Sequence, residues 1–311
     1  MTMLSISCLL LPIFLNEIAL LKCSTGLTAA EGWSKMGKKR NTTQQPGLTA
    51  ITTKEETAMY ITDDGIRLSA KLDMPEKQRS KMPVVVIIHG FTGHKDEPHL
   101  LAVNKALLEA GCVTLRADMY GHGESGGAFH DHNLFKWMNN AMALIDYAKA
   151  MPFAGNIYLL GHSQGGLTAI LTAAMERDVI KGLMALSPAN MIPEIARQGS
   201  LLGYPYDPEH IPAEIPAWNG KTLGGNYIRV AQTIHVEEAI DRYQGPVLLV
   251  HGDNDGAVPV QCSIDAAARY ANAQLCIIKG DDHCYGFHLD QVADAVQKWI
   301  EARIAEDAKN G

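Results

Sequence analysis

From residue 83 onward the chain alternates short, unbroken apolar runs with longer stretches of helical periodicity, and few folds accommodate that alternation. The apolar runs lie at 84–88, 112–117, 157–160, 182–186, 247–250 and 275–278, and helical patterns fit 100–110, 134–150, 165–176, 260–271 and 289–305. An unbroken apolar run suits a strand covered on both faces, and a helix between two such strands is the crossover that parallel pairing requires. The pattern therefore predicts an α/β fold, a mostly parallel sheet with helices on both faces. Ahead of it, two alternating segments flank Asp63-Asp64-Gly65, a turn signal that predicts an N-terminal antiparallel hairpin. With 311 residues, 47% of them hydrophobic, one core is sufficient, and a single folded domain is expected over 58–311.

Two segments depart from the alternation. Between 187 and 244 the chain is rich in proline and aromatic residues and has no clean period, far exceeding the roughly 2–6 residues usual for an α/β loop. It is expected to form a cap inserted after the sixth strand, at about 190–242, beyond a strand end where open α/β sheets bind ligands. Residues 1–57 are expected to be an N-terminal extension. The apolar run at 4–15 has the length of a signal-peptide core, but no basic residue precedes it, Glu17 closes it, and it is short for a membrane span. A leader, a misassigned start and an artefact of cloning all stay open. The polar stretch from 32 to 57 reads as a linker. A cytoplasmic location is favoured, with secretion if the run is a true signal peptide.

The net charge of −7, with no long basic cluster, argues against nucleic acid as a partner. Six cysteines show no metal-binding spacing, and the four beyond the extension are expected to be thiols rather than halves of disulfides. No metal and no organic cofactor is implied, no stable membrane span is expected, and association as a homodimer is left open.

The chemistry is concentrated in Gly161-His162-Ser163-Gln164-Gly165, which fits G-x-S-x-G and stands between an apolar strand and a helical run. Both glycines permit a cramped strand–turn–helix bend that lifts the Ser163 hydroxyl above the sheet. A serine hydroxyl needs a base to take its proton and a third group to hold that base. Asp253 and Asp255 follow the strand at 247–250. Asp255 is the expected orienting acid, while Asp253 ties the turn. Among twelve histidines, His283 is the expected base, because it follows the last strand and precedes the terminal helix; His288, at the helix start, is the rival. The oxyanion of a tetrahedral intermediate needs two N–H donors, expected from the backbones of Gln164 and of Phe91 in the glycine-flanked loop 89–93.

With these residues in view, the chain from about 58 onward resembles the cinnamoyl (feruloyl) esterases of the α/β-hydrolase superfamily, through HGFTGHKDE, DMYGHGES, GHSQGG, HGDNDGAVP and GDDHCYGF. The resemblance implies the α/β-hydrolase fold, release of hydroxycinnamic acids from small-molecule esters through an acyl-enzyme, Ser163, Asp255 and His283 as the triad, and the cap as the acyl pocket. A flat aromatic acyl group would suit a slot lined by Trp218, Tyr204, Tyr206 and Tyr227. A general carboxylesterase or monoacylglycerol lipase would share the triad beneath a more aliphatic cap. An oligopeptidase would need a larger upstream domain, and a non-catalytic hydrolase-fold binding protein would be expected to lack a triad member.

Overall fold

The computed structural model describes residues 59–310; the expectations for residues 1–57 lie outside the described residues. The predicted hairpin is β1 (Met59–Asp63) and β2 (Ile66–Asp73), joined by Asp64 and Gly65 at φ 45° and 77°. Two successive left-handed residues form the turn whose twist matches paired antiparallel strands. The parallel part begins with β3 (Met82–Ile88), followed by α1 (Pro98–Glu109), β4 (Val113–Ala117), α2 (Leu134–Ala150), β5 (Ala154–His162), α3 (Gln164–Met175) and β6 (Ile180–Leu186). Helix α1 starts two residues before the periodic run does, because Pro98 is suited to a first helical turn, where no N–H is needed. At α2 the Asn133 side chain accepts a hydrogen bond from the Lys136 N–H and caps the helix.

The segment after β6 folds as short pieces. Helix α4 (Ile192–Arg197) leads to a small ladder of β7 (Ser200–Leu201) and β8 (Tyr204–Pro205). A second ladder pairs β9 (Glu214–Pro216) with β10 (Thr222–Gly224), and α5 (Gly225–Gln232) and α6 (Val236–Arg242) complete the insertion. Each piece is too short to leave a readable period, yet Ile215, Leu223, Tyr227 and Ile228 are buried and join the main core. The chain then returns to the sheet with β11 (Val247–Gly252), α7 (Gln261–Arg269), β12 (Ala273–Ile278) and α8 (Leu289–Asn310).

The strands run in the order β1-β2-β4-β3-β5-β6-β11-β12, and only the β1–β2 and β2–β4 pairings are antiparallel. All six predicted apolar runs are the parallel strands, and β3 and β4 are buried at every residue. On one face Leu100, Val103 and Leu107 of α1 pack with Val292, Val296, Trp299 and Ile300 of α8. On the other, α2, α3, α6 and α7 contribute to the larger core, and α3 is buried from Gln164 to Ala174. The chain leaves β3 toward β4 on one side and comes back to β5 on the other, so the β3/β5 boundary is a topological switch point, where loops diverge and leave a crevice.

Under that crevice lies Trp137, fully buried, its ring about 5 Å from those of His89 and His122 and 5.8 Å from that of His132. Replacing it with alanine should lower the unfolding free energy by roughly 3–5 kcal/mol. Urea unfolding would show this as a lower midpoint at unchanged slope; a loss under about 1 kcal/mol would mean that this layer does not support the crevice.

Candidate active site

The strand β5 and the helix α3 meet at Ser163, whose backbone is forced to φ 57° and ψ −120°, a region that side-chain-bearing residues rarely occupy. Neighbours hold it there. The Ser163 N–H donates to the Leu186 carbonyl at 2.9 Å, and the Ser163 carbonyl accepts from Leu167 and Ala189, each at 3.1 Å. A Cβ on Gly161 would run into the Gly165 backbone, and one on Gly165 would run into the carbonyls of Ile88 and His89, so the bend tolerates only glycine at both positions. The loop after β3 comes equally close, since a Cβ on Gly90 would lie 3.2 Å from the Ser163 Cβ.

The Asp255 side chain is fully buried just past β11, and its two oxygens have separate tasks. One accepts the N–H groups of Ala257 and Val258, both at 2.8 Å, and so fastens its own turn. The other accepts from His283 Nδ1 at 2.7 Å and lies 3.2 Å from His251 Nε2. Burial works to raise the Asp255 carboxyl, but the hydrogen bonds from His251 and His283, with the Val258 N–H, outweigh it and hold the group well below the usual carboxylate range. A carboxylate at Nδ1 obliges that nitrogen to carry the proton, which leaves Nε2 of a neutral His283 with a lone pair. His251 is fixed in the same way. Its Nε2 faces two acceptors, Asp255 and the Val258 carbonyl at 3.0 Å, while Nδ1 takes the Ser263 hydroxyl at 2.7 Å.

The loop that carries His283 is organised by two neighbouring aspartates. Asp281, fully buried, accepts the N–H groups of Asp282, Phe287 and His288, and Asp282 accepts those of Cys284 and Gly286. Tyr285, at φ 60°, sends its ring into the core, where its hydroxyl meets the Val250 carbonyl at 3.0 Å and Ser187 Oγ at 2.8 Å. From the other side His162, adjacent to Ser163, donates Nε2–H to the His283 carbonyl at 2.8 Å and lays its ring 4.8 Å from that of His283. Ser163 and His283 are thus tied to one another through the backbone. Among the described residues the Ser163 hydroxyl has no hydrogen-bond partner; hydroxyl–imidazole contacts in ligand-free sites often tighten only when substrate binds.

Asp253 accepts the N–H of Gly280, 27 residues on in the next loop, rather than tying its own turn as expected, and the rival His288 precedes α8 with its N–H on Asp281. The Phe91 and Gln164 backbone N–H groups have no protein acceptor among the described residues, and Gln164 opens α3, so its N–H belongs to an unsatisfied helix N-terminus. The Phe91 ring is the centre of an aromatic wall, with ring centroids 5.4 Å from Phe129, 5.3 Å from His132, 5.5 Å from Trp218 and 6.2 Å from Tyr227. Burial pushes the histidines of this wall down, His122 to about 4 and His132 to about 3, so they are neutral rings at physiological pH.

The four cap aromatics separate into two pairs. Trp218, nearly half exposed, and Tyr227, fully buried with its hydroxyl 2.6 Å from Gln164 Oε1, reach the wall around Phe91. Tyr206 gives its hydroxyl to the Ala196 carbonyl within the cap, and Tyr204 is exposed on β8. Sequence reasoning passed over His162, His251, Asp281, Asp282 and Tyr285. The acidic pair in Gly280-Asp281-Asp282-His283 was the one available signal, since adjacent aspartates beside a glycine often bond their own turn.

A family described as serine aminopeptidase, S33, matches residues 79–203, which include the loop after β3 and the bend at Ser163. The human mitochondrial palmitoyl-protein thioesterase ABHD10 is 22% identical over 219 residues, 67% of this chain and 69% of its own length. The solved structure of Est1E from Butyrivibrio proteoclasticus with ferulic acid bound is 57% identical, superposes with a TM-score of 0.79, and covers 80% of this chain and all of its own. The chain belongs to the cinnamoyl/feruloyl esterase family of α/β hydrolases. As a member it is a carboxylic ester hydrolase, and the eight-stranded sheet with its antiparallel hairpin is the fold of that superfamily. No helix among the described residues of this esterase is long and apolar enough to cross a membrane.

Substituting Asp281 with alanine would strip three amide donors of their acceptor and release the loop that carries His283. Stability should fall by roughly 2–4 kcal/mol and kcat should fall further than KM rises, because the loop carries His283, the expected base, rather than a substrate-binding side chain. Steady-state kinetics at a temperature where the variant remains folded would check this; an unchanged kcat would show that the loop holds its shape without Asp281.

Proposed function

We propose that this esterase releases hydroxycinnamic acids from their esters, with Ser163 as nucleophile, His283 as general base and Asp255 as the group that orients it. His283 Nε2 takes the Ser163 proton as Oγ adds to the acyl carbon. The oxyanion that forms receives the Phe91 and Gln164 N–H groups, preorganised at a helix N-terminus and a glycine-flanked loop, where such donors are worth several kcal/mol. His283 then returns the proton to the departing alcohol, leaving an acyl-Ser163 ester. Water, activated by the same imidazole, releases the acid. The Asp255 carboxylate stabilises the imidazolium in both steps, which is why a carboxyl held ionised by His251 and two turn amides suits the role.

The substrate class is supported by a single observation above all: a protein 57% identical over its whole length holds ferulic acid. The chain's own contribution is aromatic. Phe91 supplies an oxyanion N–H and also a ring that meets Trp218 edge-on, at 84° between planes, so the cap and the oxyanion loop together offer flat apolar surface beside Ser163. Trp218 and Tyr227 are the cap residues proposed to bound the acyl slot, ahead of Tyr204 and Tyr206. Small-molecule esters are accordingly the partners, and a homodimer is not required for any step.

Comparing methyl ferulate with methyl butyrate keeps the leaving group constant and varies only the acyl part. The expected result is a kcat/KM at least about tenfold higher for the ferulate, and a Trp218→Ala variant that loses most of that preference while keeping butyrate turnover. Turnover of the butyrate with none of the ferulate would instead assign a general carboxylesterase.

A further inference from the structure

Beside the catalytic group three polar side chains converge, with buried atoms to which the proposed hydrolysis gives no task. Glu97 stands just before α1 without a side-chain capping bond, His99 is the second residue of that helix, and His162 ends β5 beside Ser163. One donor atom from each lies within 4.8 Å of the others, and Glu97 Oε2, His99 Nε2 and His162 Nδ1 are all buried without a hydrogen-bond partner. Both histidines are only 3% exposed. Leaving so many buried polar atoms unsatisfied would cost several kcal/mol in total, and native proteins rarely leave such a group unfilled.

The donor chemistry is specific. His162 spends Nε2–H on the His283 carbonyl at 2.8 Å, so its Nδ1 is the nitrogen with the lone pair, and that Nδ1 is buried without a partner. The rings of His99 and His162 stand edge to face with centroids 4.2 Å apart. The glycine-bearing loop after β3 packs closely against the cluster. A Cβ on Gly93 would collide with the Glu97 carboxylate, and one on Gly90 would lie 3.1 Å from His162 Nδ1.

We propose that Glu97, His99 and His162 form a binding site for a divalent transition ion of the zinc type, and that its occupation inhibits ester hydrolysis. Two imidazoles and a carboxylate are a common donor set for zinc, with a fourth position left for water. Zinc–ligand bonds of about 2.0–2.2 Å require the three donors to draw closer than they stand, and Glu97, at a helix entrance with its side chain 23% exposed, is the one with room to move. Inhibition follows from position. His162 holds the His283 carbonyl through Nε2–H at 2.8 Å, so drawing the His162 ring toward an ion pulls on the loop that carries His283.

Titration of the full-length protein with Co2+, followed by its visible absorption and by calorimetry, tests the site independently of any substrate. One equivalent should bind, with Zn2+ displacing it. Glu97→Gln and His99→Gln, each shown to be folded by circular dichroism, should weaken binding about tenfold or more, while His283→Ala should bind as the parent does. In the activity arm, Zn2+ should lower kcat about tenfold or more and a chelator should restore it, with both effects lost in Glu97→Gln. Absence of saturable Co2+ binding would overturn the proposal, with water or a shared proton filling the cluster instead. So would binding that survives in Glu97→Gln and disappears in His283→Ala, which would place the ion on the catalytic imidazole.

Discussion

The left-handed backbone at Ser163 is the constraint from which the rest of the site follows. A side chain at φ 57° and ψ −120° is held against its own preference, and only a surround that fixes the residue on every side can keep it there. Here that surround is the sheet itself. Leu186 at the end of β6 takes the Ser163 N–H, the carbonyls at the end of β3 press against Gly165, and Gly161 leaves no room for a side chain. Because β3 and β5 flank the switch point of the sheet, the same bend that strains Ser163 also lifts it into the crevice where the loops of β3, β11 and β12 arrive.

Those loops reach the crevice with their polar groups already satisfied, which is what makes a buried acid–base pair tolerable. An isolated carboxylate at the depth of Asp255 would be strongly disfavoured. Its oxygens instead receive two turn amides and two imidazoles, so one residue both shapes the turn after β11 and presents charge to His283. Asp281 and Asp282 do the same work for the next loop, and the Tyr285 ring fastens it to the core through Val250 and Ser187. The imidazole therefore rests on a scaffold of hydrogen bonds that substrate need not organise.

Much of this was legible in the order of residues, and the limits of that legibility are physical. Each parallel strand is buried on both faces, so each left an unbroken apolar run, and the strand–bend–helix at Ser163 left two glycines with no other use. Asp255 and His283 could be chosen because both follow strand ends on one edge of the sheet. The cap left no period because its helices and ladders are a turn or two long, and so nothing in the sequence separated Tyr227, buried against Gln164, from Tyr206, bonded within the cap. His162 and His251 were equally hidden. Each acts through a partner more than one loop away or on the far side of its own turn, and only the folded chain brings those partners together.

The central claim is that one hydroxyl among many serines is made reactive by its place at this bend, beside an imidazole held by Asp255. Labelling with a fluorophosphonate ester, followed by peptide mapping, reads that reactivity residue by residue. The account predicts a single adduct on Ser163, absent from Ser163→Ala and formed far more slowly in His283→Ala. An adduct on another residue, or labelling of Ser163 that is indifferent to loss of the imidazole, would contradict it.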